Sequence, residues 1–263
     1  MKLGVLIPAY RAQQALPRTL ASLAADPVPF DVVVVDDGSE PPLEIPTHAG
    51  SHDVVRLRLE RNSGIARALN YGLRWMRERG YDMVARLDAG DINALTRLSS
   101  QVAFLERHPD VALVGSWTRH VNEQMAPLYV TQYPADHASI LERFHLRSPF
   151  SNPTCMFRMA AIEDVGGYDA RYELGEDYEL FWRVALRYRC ANLPEALVTR
   201  VENRASVTHR RRWPMALRRL RMQCRHFEWR QAACWLGLLR SVLLLPLPKA
   251  PVVALKRAIG VVG

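Results

Sequence analysis

A chain of 263 residues, 49% apolar and 24% charged, can bury a substantial core, which excludes a disordered, fibrous or disulfide-stapled small protein. Four scattered cysteines (Cys155, Cys190, Cys224 and Cys234) form no C-x-x-C pair and fit reduced thiols better than a zinc site. The net charge of +8 is uneven: from residue 200 on, 14 Lys and Arg face 2 Asp and Glu, a net of +12, leaving residues 1–199 at −4.

The opening "MKLGVLIPAYRA" reads as a buried strand, because its apolar run is too short and too lightly charged for a signal peptide. "QQALPRTLASLAA" sets Leu16, Leu20 and Leu23 on one helical stripe, and "FDVVVVDDGS" is a second continuous apolar strand ending in turn residues. "VVRLRLE" alternates as a strand. "SGIARALNYGLRWMRERG" follows as a helix with Ile65, Leu69, Leu73 and Met76 on one side and Gly80 as its stop. The strand "DMVARLD", a helix "TRLSSQVAFLERHP" and the strand "VALVGSW" complete the first half. This alternation predicts an α/β fold with a doubly wound, mostly parallel sheet.

Ligands of such sheets sit outside the carboxyl ends of the strands, which here read "IPAYR", "VDDGS", "RN" and "LDAGD". Acids and arginines therefore converge on one rim. Beyond residue 118 the pattern weakens into a loop-rich region with one marked helix from Glu176 to about Tyr188, whose leading acids also suit a helix dipole. "ALVTRVEN" is a further candidate strand. The apolar part of the tail, roughly 232–247, is broken by Arg240 and stopped by Pro246 and Pro248. It is short for a bilayer span and suits a helix in a membrane interface, or one packed on the body or on a second subunit.

Five stretches, "VLIPAYRA", "VVVDDGS", "RNSGIARALNYGL", "ARLDAGD" and "GEDYELFWRVA", occur in the order and rough spacing of the family 2 glycosyltransferases, and the chain resembles them over about residues 1–210. The resemblance implies a GT-A fold, Rossmann-like, with a nucleotide-binding half at 1–118, an acceptor-binding half at 119–210 and a basic, partly apolar helical tail at 211–263. It implies that Pro8, Ala9 and Tyr10 pack against a nucleotide and that Asp37, with Asp36, Gly38 and Ser39 beside it, contacts the base. A strand-ending turn would favour Asp, Gly and Ser as well. Asn62, Ser63 and Gly64 would cap a helix whose N-terminus favours phosphate, with Arg67 or Arg86 reaching the ligand. Many members carry Asn and Glu near Arg11 and Gln13, so those contacts differ here.

In "ARLDAGD" the family's usual third acid, a metal ligand, is replaced by Gly90. Leu87, Asp88 and Ala89 match the donor-binding stretch, and Asp88 and Asp91 remain to hold Mn²⁺ or Mg²⁺ against a diphosphate; His209 is a further candidate ligand. Arginines in place of the metal, or an inactive site, are the other readings. In "GEDYELFWR" the resemblance makes Asp177 the general base of an inverting transfer, oriented by Glu176. "NPTCMF" and Trp182 would shape the acceptor pocket, or serve the core.

The expectation is an enzyme moving a sugar from a nucleotide-diphosphate donor, UDP first and dTDP-rhamnose second, to a glycan or lipid-linked acceptor in bacterial polysaccharide or lipopolysaccharide synthesis. It would be cytoplasmic, docked at the inner face of the membrane through residues 211–263. A nucleotidyltransferase would show a Gly-rich phosphate loop after the first strand, and "IPAYRAQQALPR" has no glycine. Nucleic acid as the partner of the arginine-rich tail leaves the convergent acids unexplained, since carboxylates repel a phosphate groove.

Overall fold

The computed structural model describes residues 1–172, 174–202, 212–227, 229 and 232–244. Its sheet begins with four parallel strands, β1 (Leu3–Ala9), β2 (Asp31–Asp36), β4 (His52–Arg58) and β5 (Met83–Arg86), in the order β4-β2-β1-β5. The two-residue β3 (His48–Ala49) borders β4. Apolar residues run without a break through β1 and β2 because both faces are covered: Val5, Ile7, Val32 and Val34 point into one core, and Leu6, Val33 and Val35 into the other.

Helices α1 (Leu16–Leu23) and α3 (Arg97–Arg107) close the first face with Leu16, Leu20, Leu23, Leu98 and Leu105. Helix α2 (Ile65–Arg77) closes the second with Leu69, Leu73 and Met76 buried and Ile65 packed partly buried beside them, the four stripe residues expected from its periodicity. This is the doubly wound arrangement.

The second half departs from a simple parallel alternation. β9 (Met156–Arg158) inserts antiparallel between β5 and β7 (Val111–Val121), so β7 does not pair with β5. β10 (Arg189–Val201) runs parallel to β7, β6 (Ile92–Asn93) borders β10, and β8 (Pro127–Thr131) folds back on β7. The loop-rich reading of residues 118–175 is corrected here: the region also holds α4 (His137–Phe144), a 3-10 turn at Asn152–Thr154 and α5 (Met159–Asp164). Elements of three to eight residues are too short to show a helical or strand period.

Helix α6 (Glu176–Arg187) packs Phe181 and Trp182 into the second core. Trp182 stacks on His226 at 4.5 Å and lies 5.0 Å from Phe144, and Cys155, Met156 and Phe157 are fully buried. Core packing therefore accounts for these residues, not an acceptor pocket. Two further helices follow, α7 (Arg212–Arg225) and α8 (Ala232–Leu244). Among the described residues no helix is long and apolar enough to cross a membrane.

Candidate active site at the carboxyl rim of the sheet

The ends of β1 and β2 are tied together. Asp37 N–H donates to the Ala9 carbonyl at 2.8 Å, and Arg11 N–H to the Ser39 hydroxyl at 2.9 Å. Asp36 is buried and accepts from the backbone N–H of Ser39 (2.9 Å) and Leu43 (3.2 Å), so it builds the turn itself. Asp37 turns the other way and accepts from Ser63 N–H at 2.8 Å and Gly64 N–H at 2.9 Å. Gly38 has φ 67°, and a Cβ there would collide with the Arg61 backbone, so the next loop can approach closely only past glycine.

The helix cap expected of Asn62 and Ser63 is corrected. No side chain caps α2: Gly64 is its N-cap, and the Ser63 hydroxyl donates to the Arg61 carbonyl. Asp37 satisfies the two N–H groups just before the helix instead. Each of its oxygens keeps a lone pair for a ligand. Tyr10 is exposed beside this corner with the Arg11 guanidinium 5.2 Å from its ring, Pro8 is half-buried and Ala9 buried.

Arg67 and Arg86, equal candidates by sequence, separate. Arg67 is exposed on the first turn of α2. Arg86 is buried, donates to the carbonyls of Leu6 (2.7 Å) and Leu87 (3.1 Å), and pairs with Asp88 at 2.7 Å. It orients Asp88, whose side chain is 27% exposed. Leu87 is fully buried, and Ala89 half-buried.

The turn from Asp88 to Asp91 hangs on α1. The buried Thr19 hydroxyl accepts from Gly90 N–H at 2.7 Å and donates to the Asp91 carbonyl at 2.8 Å, while Arg18 donates to the Gly90 carbonyl at 2.9 Å. Gly90 has φ 110°, a conformation that L side chains rarely adopt. Asp91 is buried and its Oδ2 has no hydrogen-bond partner. Burial pushes its carboxyl up to about 7, against the pull of Arg200 and Arg18, with Asp88 adding to the rise. Below the turn the buried Arg97 donates to the Arg86 carbonyl at 2.7 Å and to the Gln101 side chain at 3.1 Å.

The helix α6 delivers the remaining acids. Its N-cap Gly175 is left-handed (φ 80°), Glu176 is buried and Asp177 half-buried, with Asp177 accepting from Tyr178 N–H at 2.7 Å. Burial, then the charge of Asp177, raises Glu176 to about 8; burial also raises Asp177, with Asp88 adding to the rise in both. Arg86 opposes the shift in both. Asp88, Asp177 and Glu176 thus share one electrostatic neighbourhood around Arg86. Raised carboxyls in a cleft are what proton transfer near neutrality requires.

The fit to a divalent cation rests on Asp91 and Asp88. A cation that keeps its waters and takes diphosphate oxygens needs only one or two carboxylates, and Asp91 carries a buried oxygen without a partner. Among the described residues no cluster of three or more ligating side chains stands ready, and His209 lies outside the described residues. Thr19, Arg18, Arg97 and Arg200 were not picked out by sequence. Their only signal was membership of an ordinary helix or strand.

A doubly wound sheet with an acid turn after its central strand, and a second acid pair across the rim, defines a sugar-transferring enzyme of GT-A type. Residues 4–166 match the family described as glycosyl transferase family 2, and the chain belongs to that family. It is 33% identical over 222 residues to an uncharacterized glycosyltransferase of Haemophilus influenzae, covering 80% of each chain. It is 31% identical to the amylovoran biosynthesis glycosyltransferase AmsE of Erwinia amylovora, again covering 80% of each. A 175-residue match at 31% identity joins it to an Escherichia coli UDP-Gal:alpha-D-GlcNAc-diphosphoundecaprenol beta-1,3-galactosyltransferase, covering 65% of this chain and 62% of that one.

Among solved structures, S. aureus TarS 1-349 in complex with UDP-GlcNAc superposes with a TM-score of 0.67 at 19% identity, over 92% of this chain and 72% of that one. The mannosyltransferase PcManGT from Pyrobaculum calidifontis, in complex with GDP-Man and Mn²⁺, gives 0.62 at 17%, over 99% and 79%. Both likenesses establish the fold. By its family the protein is a glycosyltransferase.

Proposed function

We propose that the chain transfers a sugar from a uridine diphosphate donor to a lipid-linked acceptor during synthesis of a bacterial surface polysaccharide, with residues 1–118 holding the donor and 119–210 the acceptor. One observation carries the reading: the Asp88 turn and the Glu176–Asp177 pair meet around Arg86 at the rim where Asp37 anchors the phosphate-facing loop. The similarity to a galactosyltransferase that acts on a diphosphoundecaprenol-linked acceptor favours the donor and acceptor classes.

The uracil and ribose would lie against Pro8, Ala9, Tyr10 and the Asp36–Ser39 turn, with Asp37 accepting from the base. The donor diphosphate would sit between the α2 N-terminus, with Gly64 and Arg67, and the Asp88 turn. Asp88 and Asp91 would hold a divalent cation, which when bound supplies countercharge to the departing diphosphate. Asp177 accepts the proton of the acceptor hydroxyl as its oxygen forms a bond to the anomeric carbon. The bond from that carbon to the diphosphate oxygen breaks on the opposite face, and the configuration inverts. Glu176, neutral at pH 7 where its pKa lies at about 8, orients Asp177 without competing for the proton. Residues 211–263 would rest on the inner face of the membrane.

The test is UDP titration by calorimetry with Mn²⁺ and then with excess EDTA, on wild type and Asp88→Ala. Binding that is lost with EDTA and weakened by Asp88→Ala supports the carboxylate-held cation. Binding indifferent to EDTA transfers the countercharge to Arg18 and Arg200. No UDP binding in either condition removes the donor assignment.

A further inference from the structure

Outside the reaction site three guanidinium groups gather without a carboxylate among them. Arg143 lies in α4 and Arg147 one turn further on, since Arg147 N–H donates to the Arg143 carbonyl at 2.9 Å; the two therefore share a face. Helix α8 crosses close to this turn. Its buried Cys234 lies 3.3 Å from the His145 ring, and at Gly237 a side chain would collide with the His145 carbonyl. Gln223 of α7 donates to that same carbonyl. Arg240, one turn beyond Gly237, is thereby brought to the pair.

Burial holds both Arg143 and Arg147 below their ordinary range; the charges of Arg147 and Arg240 add to the effect on Arg143, bringing it to about 10, and the charge of Arg240 adds to it on Arg147. Arg143 donates to the Gln132 carbonyl at 3.3 Å, and its Nε is buried with no partner. Among the described residues none of the three forms an ion pair. Clustered like charges with unmet donors are unfavourable unless an anion joins them.

Two neighbours of the cluster say which anion. On one side Tyr133 lies within electrostatic reach of both Arg147 and Arg200, and Arg200 faces Asp88 and Asp91 in the reaction site. On the other side α8 turns an apolar stripe outward: Trp235, Leu236, Leu239, Val242 and Leu243 are all more than half exposed. The molecule thus presents, in order, a sugar-transfer site, a cationic cluster and an apolar ridge. A bilayer headgroup would need the last two but not their junction with the first.

We propose that Arg143, Arg147 and Arg240 bind the diphosphate of a lipid-linked sugar acceptor, whose hydrocarbon chain runs out along the exposed face of α8. The proposal rests on the lipid-linked acceptor reading above and assigns it a site distinct from the donor diphosphate site at Asp88 and α2. It gives the tail a second task besides resting on a membrane: α8 carries both one of the three arginines and the apolar path.

The test uses the full chain and farnesyl diphosphate as a soluble lipid diphosphate, titrated by calorimetry with UDP at saturation. Wild type is expected to bind it, and the double variant R143Q/R147Q to bind at least tenfold more weakly while its UDP affinity and melting temperature stay unchanged. L239S should weaken farnesyl diphosphate but not inorganic pyrophosphate. R143K/R147K should restore part of the loss, because a charge remains but the guanidinium fork does not.

Equal affinity in R143Q/R147Q would overturn the proposal, as would farnesyl diphosphate displaced by UDP, which would place it in the donor site. Arginine-dependent binding to phosphatidylglycerol vesicles with none to farnesyl diphosphate would assign the cluster to the bilayer instead. If the wild type binds no UDP, the donor assignment fails by itself; the farnesyl diphosphate arm, run without UDP, still decides this site.

Discussion

The half-buried Asp177 and the buried Asp91 both have raised pKa, and they answer to different tests. Asp177→Asn keeps the shape and removes the proton acceptor, so turnover should fall by about 10²–10⁴-fold with UDP affinity retained. Because the base works only when deprotonated, kcat/KM should fall as pH falls, and because Glu176 acts in its neutral form it should fall again above about 8, where Glu176 ionises. Glu176→Gln, which stays neutral at every pH, should remove that alkaline fall. A profile whose only acid limb lies near the ordinary Asp value, about 4, would count against this assignment.

Asp91 is a matter of stability. Its folded-state pKa of about 7 lies above the unfolded value of 3.8, so its stabilising contribution is complete below the unfolded value and is lost as pH rises through the folded one. Asp91→Asn should therefore leave the unfolding free energy nearly unchanged at low pH and raise it at pH 8, by up to about 4 kcal/mol in metal-free buffer, read from denaturant melts at the two pH values. Mn²⁺ should cancel much of that difference for the wild type alone. Sequence showed that Asp88, Asp91, Glu176 and Asp177 were candidates, since acids after strand ends and at a helix start are visible as text. It could not rank Arg67 against Arg86, because burial decides which guanidinium is locked and which is free.

The Asp88–Asp91 turn is a joint product of β5, α1 and α3. Restoring the family's common acid with Gly90→Asp should not restore a ligand cheaply. A Cβ there meets Ala15 at 3.5 Å and Arg18 at 3.7 Å, ordinary contacts, so space is available; the φ of 110° is the obstacle. A loss of about 1–3 kcal/mol is expected from thermal melts. Thr19→Val keeps the volume and deletes the hydroxyl that bonds Gly90 N–H and the carbonyls of Asp91 and Asp88, so it should raise the apparent Kd for UDP while α1 stays folded. Circular dichroism alongside calorimetry separates the two effects. At this scale sequence periodicity marked α1, α2, α3 and α6 to within a few residues, because each spends two or more turns against one core. The short β8, α4, α5 and β9 escaped, since three to eight residues held by tertiary contacts carry no period of their own.

Across the whole molecule, two cores flank one sheet and the C-terminal helices dock on the second-core side through His145. Thiol reactivity reads this docking: Cys155, Cys190 and Cys234 are buried and Cys224 is exposed. A thiol reagent should label one cysteine rapidly in the native state and all four in denaturant. Rapid labelling of Cys234 as well, with Cys155 still protected, would mean that α8 leaves the body in solution. The tail's charge and short apolar run were plain in the sequence, which left membrane docking and packing on the body as alternatives. The structure gives α8 an inward face of Cys234, Gly237 and Ser241 and an outward face of exposed apolar side chains.

What the sequence determined by itself was the alternating architecture of the first half and the acids of the rim, because these follow from local patterns of spacing and turn chemistry; the family was legible as a resemblance carried by five motifs in order. What only the tertiary structure decided was how far each acid is desolvated, which arginine each one meets, and that Arg143, Arg147 and Arg240 share a site. Desolvation and charge pairing depend on distances between residues far apart in the chain, and those distances exist only once the sheet has brought the elements together.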